Sequence, residues 1–214
     1  MNTCYAIIST PRSGSSALSG VVHTLGISMG DRLLPPMEQN PKGFYEDMEF
    51  LDHHANMYGN IPYLMDGLEP GTPSAPNPAY ASLIRKRCVK PKWGLKDPRM
   101  VFLVQDFKEY LMNCKLKIIS TSRPINLSAK SMSKVIKVDY RRATEIIGRY
   151  EAARLDTLAW AAEVGIETLV VPYNDLIDNT KTTVKKIAEF CEITDEIYIS
   201  RATSIVDVSL RNNK

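Results

Sequence analysis

The sequence has no run of about 18 apolar residues, so no helix of it is expected to span a membrane. Its four cysteines, Cys4, Cys88, Cys114 and Cys191, include no C-x-x-C pair. That argues against zinc and for reduced, mostly buried thiols. Residues 1–8 lack a basic head and carry an apolar stretch only a strand long, so no signal peptide is expected and the cytoplasm is the expected compartment. No charge of one sign dominates. The net charge of +3 is too small for a general nucleic-acid-binding surface, though it suits a local basic pocket. No internal repeat is present.

What remains is an ordinary globular composition, 44% hydrophobic and 24% charged. A chain of 214 residues has the size of one large α/β domain, and 1–214 reads as a single unit. An apolar, Ile-rich run predicts a buried strand at 4–9; further strands are expected at 92–96 and 116–121, and a buried one at 168–171. Helical spacing predicts helices at 15–25, 47–57, 79–88, 100–112, from about 125, at 139–164 and at 181–191. In the long helix Ile146, Ile147, Tyr150, Leu155, Leu158 and Ala161 fall on one face and are expected to point inward. Residues 31–45 read as a loop around Pro35, Pro36 and Pro41. Segment 59–78 holds eight Gly and Pro residues and reads as a long loop, of a kind that serves as an acceptor-site lid or stays disordered. The tail from Ile197 is ambiguous.

Strands alternating with helices imply a P-loop-like three-layer α/β sandwich, with a mostly parallel central sheet of about four to five strands and helices on both faces. Ligands of such sheets bind outside the carboxyl ends of the strands. Three strand ends carry chemistry: 10–16, 96–99 and 122–131.

The first, "IISTPRSGSSALSG", has the layout of a phosphate-cradling loop without the G-x-x-x-x-G-K-[ST] spelling. Ser9 stands in place of the first Gly and Ser15 in place of the Lys. Backbone N–H groups of Ser13, Gly14, Ser15 and Ser16 would converge on one anion at the positive end of a helix, with Gly14 allowing close approach and Arg12 supplying full charge. The same residues also suit an ordinary strand-to-helix turn capped by Ser. The second, "STSRPINLSAKS", puts Arg123 at a strand end and Ser131 eight residues on, about two turns into a helix. Together they can hold a second phosphate; alone, Arg123 reads as a surface ion-pair partner.

"TPRSGSSAL" is similar to the 5′-phosphosulfate loop of sulfotransferases, and "SRPINLSAKS" to their 3′-phosphate segment. "VPYNDLIDNTKTTVKKIAEFCEI" resembles the family's late strand, turn and amphipathic helix. "NPKGFYED" and "WGLKDPR" resemble bacterial and carbohydrate-type members more than mammalian cytosolic ones. The resemblance covers most of the chain in order. It implies 3′-phosphoadenosine 5′-phosphosulfate as donor and its 3′,5′-bisphosphate as product, with no metal required. Arg12, Ser13, Gly14, Ser15 and Ser16 would hold the 5′ side, Arg123 and Ser131 the 3′-phosphate, and Tyr173 would lie near the adenine. The acceptor would be a hydroxyl of a carbohydrate or small metabolite.

The pattern also departs from the family. The cytosolic enzymes end in a Gly-rich basic segment; here the tail is "IVDVSLRNNK", where Arg211 is the available substitute. Lys96 corresponds to the Lys of the family's Lys-Thr-His segment, and Pro98 stands where the catalytic His should be. Lys96 is the expected stabiliser of the transferred group beside Arg12. Glu46 is the first choice of base, followed by Asp97 and then His53 or His54. Each has a bland reading: Glu46 as a helix-start charge, Asp97 as an ion-pair residue with Arg99, the tandem histidines as solvated and His23 as packed on its helix. Two alternatives keep the fold: a P-loop nucleotide or small-molecule kinase, and a non-catalytic adenine-nucleotide-binding protein.

Overall fold

In the computed structural model, which describes residues 1–38, 40–58 and 77–207, β1 (Asn2–Ser9) is buried from Thr3 onward. Its side chains alternate between two cores. Cys4, Ala6 and Ile8 face one apolar cluster; Tyr5 and Ile7 face the other. A strand buried on both faces needs helices on both sides of its sheet, and the chain supplies them. The described elements run β1, α1 (Ser15–Thr24), α2 (Met48–Tyr58), α3 (Pro78–Cys88), β2 (Lys92–Lys96), α4 (Met100–Glu109), β3 (Cys114–Ser122), α5 (Ile125–Ile136), α6 (Tyr140–Glu163), β4 (Glu167–Pro172), α7 (Tyr173–Asp178), α8 (Thr180–Phe190) and α9 (Glu196–Ser204). The four strands are parallel throughout, in the order β2-β1-β3-β4. Helices α3 to α6 feed the first cluster, and α1, α8 and α9 the second.

The α/β reading therefore holds, with element ends displaced by one to three residues. Four expectations change. The segment at 168–171 is not a buried strand: β4 is an edge strand in which Val171 is buried and Val170 is 46% exposed. Burial is set by what packs on a strand's faces, not by its apolar sequence or its edge position: the other edge strand, β2, is buried from Trp93 to Lys96. Leu155 does not face inward but is 52% exposed; Ala153, Arg154 and Thr157 are buried instead. Arg154 reaches the core because it donates to Ser120 Oγ (3.1 Å) and Glu151 (2.6 and 2.9 Å), partners that a hydrophobic pattern does not reveal. The Tyr-x-Asp-Leu turn is the short helix α7, and the ambiguous tail forms α9. The Pro/Gly-rich segment 59–78, apart from Asn77 and Pro78, lies outside the described residues, as does Arg211. No described helix is long and apolar enough to cross a membrane.

Candidate active site

The carboxyl ends of β1, β2 and β3 meet at one cavity of about 160 Å³. From β1 the chain enters the loop 10–14. Arg12 (φ 63°) and Gly14 (φ 89°) both take the left-handed conformation, which turns successive N–H groups toward a common concavity. Two bonds fix the turn: Ser13 Oγ donates to Thr10 O (2.6 Å), and Thr121 Oγ1 donates to Ser13 O (3.3 Å). Ser13 is thus fully buried and its hydroxyl serves the loop, whereas Arg12, Gly14, Ser15 and Ser16 line the cavity. No side chain caps the N-terminus of α1, so its first N–H groups remain available to a ligand. Gly14 is required twice over. Its φ favours glycine, and a Cβ there would stand 2.3 Å from Tyr173 Cδ2.

The β3 end supplies Arg123 and, through α5, Ser131. The Arg123 guanidinium lies 4.6 Å from the centre of the Tyr173 ring, and its Nη1 donates to Arg12 O (3.4 Å). About two turns into α5, Ser131 Oγ accepts from Arg12 Nε (3.2 Å). The eight-residue spacing of Arg123 and Ser131 therefore closes on the same wall as the loop at Arg12.

The β2 end supplies Lys96. Its ammonium donates to Glu46 Oε1, and both side chains are nearly buried while lining the cavity. Burial raises the Glu46 pKa above the ordinary carboxylate value; Lys96 opposes the rise without cancelling it, and nearby Asp97 adds to it. Phe44 lies 6.0 Å from the Lys96 ammonium. Lys42, on the same loop, donates to Ile205 O (2.7 Å) and pairs with Asp207 (3.3 Å), so the segment after α9 forms part of the wall. Lys42, Phe44 and the tail contact were not singled out from the sequence. The position of Lys42 and Phe44 within "NPKGFYED", beside Glu46, was the available signal.

The remaining base candidates lie elsewhere. Asp97 is fully buried behind the cavity wall. Its Oδ1 accepts from Arg99 N (2.8 Å) and Nε (2.9 Å), and its Oδ2 from Arg99 Nη2 (2.8 Å) and His54 Nδ1 (2.8 Å). Burial alone would raise its pKa, but His54 and Arg99 outweigh that and hold it well below the ordinary range. His54 is fully buried, with Nε2 paired to Tyr80 Oη (2.8 Å). Asp97 and His54 thus tie the β2 turn to α2 and α3, the ion-pair role foreseen for Asp97. His53 borders a separate groove with Glu49 and Lys86. His23 packs against the Tyr45 ring at 5.6 Å.

A buried hub anchors the loop that carries Glu46. Arg87, 1% exposed, donates to Asp47 Oδ2 through Nε (3.2 Å) and Nη2 (2.6 Å), to Asp31 through Nη1 (2.6 Å), and to Glu49. Asp47 Oδ1 also accepts from Glu49 N (3.0 Å), at the start of α2. Nothing in "RKRC" marks Arg87 in advance, because its partners lie 38 to 56 residues away. Among the described residues no group of three or more His, Cys, Asp or Glu side chains is arranged to hold a metal ion.

No family model matches the sequence, and a search of curated proteins finds no match. Solved structures do match. A sulfotransferase domain from the curacin biosynthetic pathway superposes with a TM-score of 0.55 at 17% identity, over 93% of this chain and 77% of that one. The chain has a sulfotransferase fold. A second neighbour of this fold, sulfotransferase STF1 from Mycobacterium tuberculosis H37Rv, also gives 0.55 at 17% identity, over 95% of this chain and 71% of that one.

Proposed function

We propose that the chain is a sulfotransferase that moves a sulfuryl group from 3′-phosphoadenosine 5′-phosphosulfate to a hydroxyl of a carbohydrate or small metabolite. The observation that carries this reading is the meeting of two anion anchors and a buried Lys–Glu pair on one cavity. The chain's own residues fit such a donor. The uncapped start of α1, the left-handed turn at Arg12 and Gly14, and the Arg12 guanidinium suit a 5′-phosphosulfate. Arg123 and Ser131 suit the 3′-phosphate, and the Tyr173 ring offers a face to the adenine. The bound donor supplies the activated sulfuryl group. Lys96 would stabilise negative charge growing on the leaving oxygen, and Glu46, a buried carboxylate lining the cavity, would serve as base for the acceptor proton. Asp97, with every oxygen engaged, takes the positioning role.

Ligand-dependent stability tests this reading. The 3′,5′-bisphosphate of adenosine should raise the thermal midpoint without divalent metal, and ATP with Mg²⁺ should do much less. Equal stabilisation by both would favour the kinase instead. In calorimetric titrations Arg123→Ala should weaken the bisphosphate by about 1.5–3 kcal/mol, the usual worth of a charged hydrogen bond. It should leave adenosine 5′-phosphosulfate, which lacks the 3′-phosphate, nearly unaffected.

A further inference from the structure

Lys96 stands between two places that call for positive charge. Its ammonium donates to Glu46, and both groups open on the cavity bordered by Arg12, Gly14 and Ser15. The cavity's other cations have partners other than Glu46. Arg12 donates to Ser131 Oγ at 3.2 Å, Arg123 lies against Tyr173 and Arg12 O, and Lys42 is held by Ile205 O and Asp207. Among the described residues Lys96 is the one side chain that donates to the Glu46 carboxylate, which is 6% exposed.

We infer that Lys96 is a shared cation: an anionic donor entering the cavity draws its ammonium away from Glu46, so that Glu46 becomes a strong base only when the donor is in place. The inference rests on the donor reading given above. Its physical basis is that a buried carboxylate stripped of its counter-ion, with a new anion beside it, binds a proton more tightly. The charged groups that act on Glu46 are Lys96, Asp97 and Arg99 from the β2 end, while Arg12, Arg123, Lys42 and Asp207 line the same cavity. Asp97 and Arg99 are locked to each other by three hydrogen bonds, so the change on donor entry falls on Lys96. During transfer the acceptor oxygen bonds to sulfur as the sulfur–oxygen bond to the 5′-phosphate breaks. The acceptor proton passes to Glu46, and the electron pair of the broken bond stays on the phosphate oxygen beside Lys96. Each charge thus ends on a group prepared to neutralise it.

Proton uptake reads this handover without turnover. Binding of 3′-phosphoadenosine 5′-phosphosulfate, with no acceptor present, is titrated calorimetrically near neutral pH in two buffers of different ionisation enthalpy. Because the donor's own phosphate titrates, the quantity of interest is the difference between wild type and Glu46→Gln. Wild type should take up more protons per donor bound, by a fraction of one, because Glu46 must stay largely ionised to receive the acceptor proton. In Lys96→Met that excess should vanish, because Glu46 has already lost its counter-ion before the donor arrives. Equal uptake by wild type and Glu46→Gln overturns the handover. An excess that persists in Lys96→Met overturns it as well, since direct repulsion from the donor would then be the cause. A wild type that binds no donor overturns the donor reading itself, and this inference with it.

Discussion

Glu46 and Asp47 are adjacent, both carboxylates and both buried, yet the structure treats them oppositely. Asp47 sits in a hub in which one guanidinium and one backbone N–H satisfy both of its oxygens. Glu46 faces a cavity with one ammonium for a partner, and burial lifts its pKa in spite of that ammonium. Asp97, next to Lys96, follows the Asp47 pattern, with four hydrogen bonds to its two oxygens. Saturated carboxylates hold the frame, and the under-satisfied one is the carboxylate proposed above as base. A fully bonded buried charge is rigid and inert, whereas a carboxylate with a raised pKa is matched to proton transfer near neutral pH.

The sharpest test of this contrast is Glu46→Gln, which keeps the shape and removes the base. Turnover with a screened acceptor should fall by about 10²–10⁴-fold, the range typical of lost general-base catalysis. The fold should survive, because the amide oxygen still accepts from Lys96 at a cavity wall. Near-normal turnover would remove Glu46 from the role and erase the distinction from Asp47.

At the hub the loss should appear as stability. Arg87→Leu leaves Asp47 buried without its counter-ion, a defect that costs about 3–5 kcal/mol. Urea denaturation measures it, and the loss should clearly exceed that of Glu46→Gln. A cost no larger than that of an exposed ion pair would show that the hub is not what fixes the loop bearing Glu46.

The smallest effect is the pH dependence, in which the two kinds of carboxylate act with opposite sign. Asp97 is held low by His54 and Arg99 against its own burial. Asp31 and Glu49 are lowered mainly by hydrogen bonds from Lys90 and Arg87 respectively. In the folded state these groups bind protons less tightly than in the unfolded chain. Their contribution is fully present above the ordinary carboxylate range, about pH 4, and is lost as pH falls through their lowered values. Glu46, with its raised value, binds a proton more tightly when folded, so its contribution declines as pH rises through that value. Unfolding free energy should therefore climb from about pH 3 to pH 5 and then sag slightly. Glu46→Gln should abolish the sag and leave the climb. A sag of equal depth in the variant would assign it to another group.

The sequence by itself determined the layering of the molecule and the placing of its two candidate anion-binding segments at strand ends. Apolar runs of strand length alternate with helical periodicity, and both are local signals that survive without knowledge of contacts. The turn at Arg12–Ser16 and the spacing from Arg123 to Ser131 are equally local, because each is set within one strand-to-helix connection. Only the tertiary structure decided which charged residues line the cavity and which are locked in buried ion pairs. The sequence ranked Glu46 ahead of Asp97, His53 and His54 as base but could not separate them by environment, since protonation behaviour depends on partners tens of residues away. Arg87 gave no signal for the same reason. The outward turn of Leu155 and the exposure of β4 were likewise beyond the pattern, because burial of an edge strand or a helix face is fixed by what packs against it rather than by its own residues.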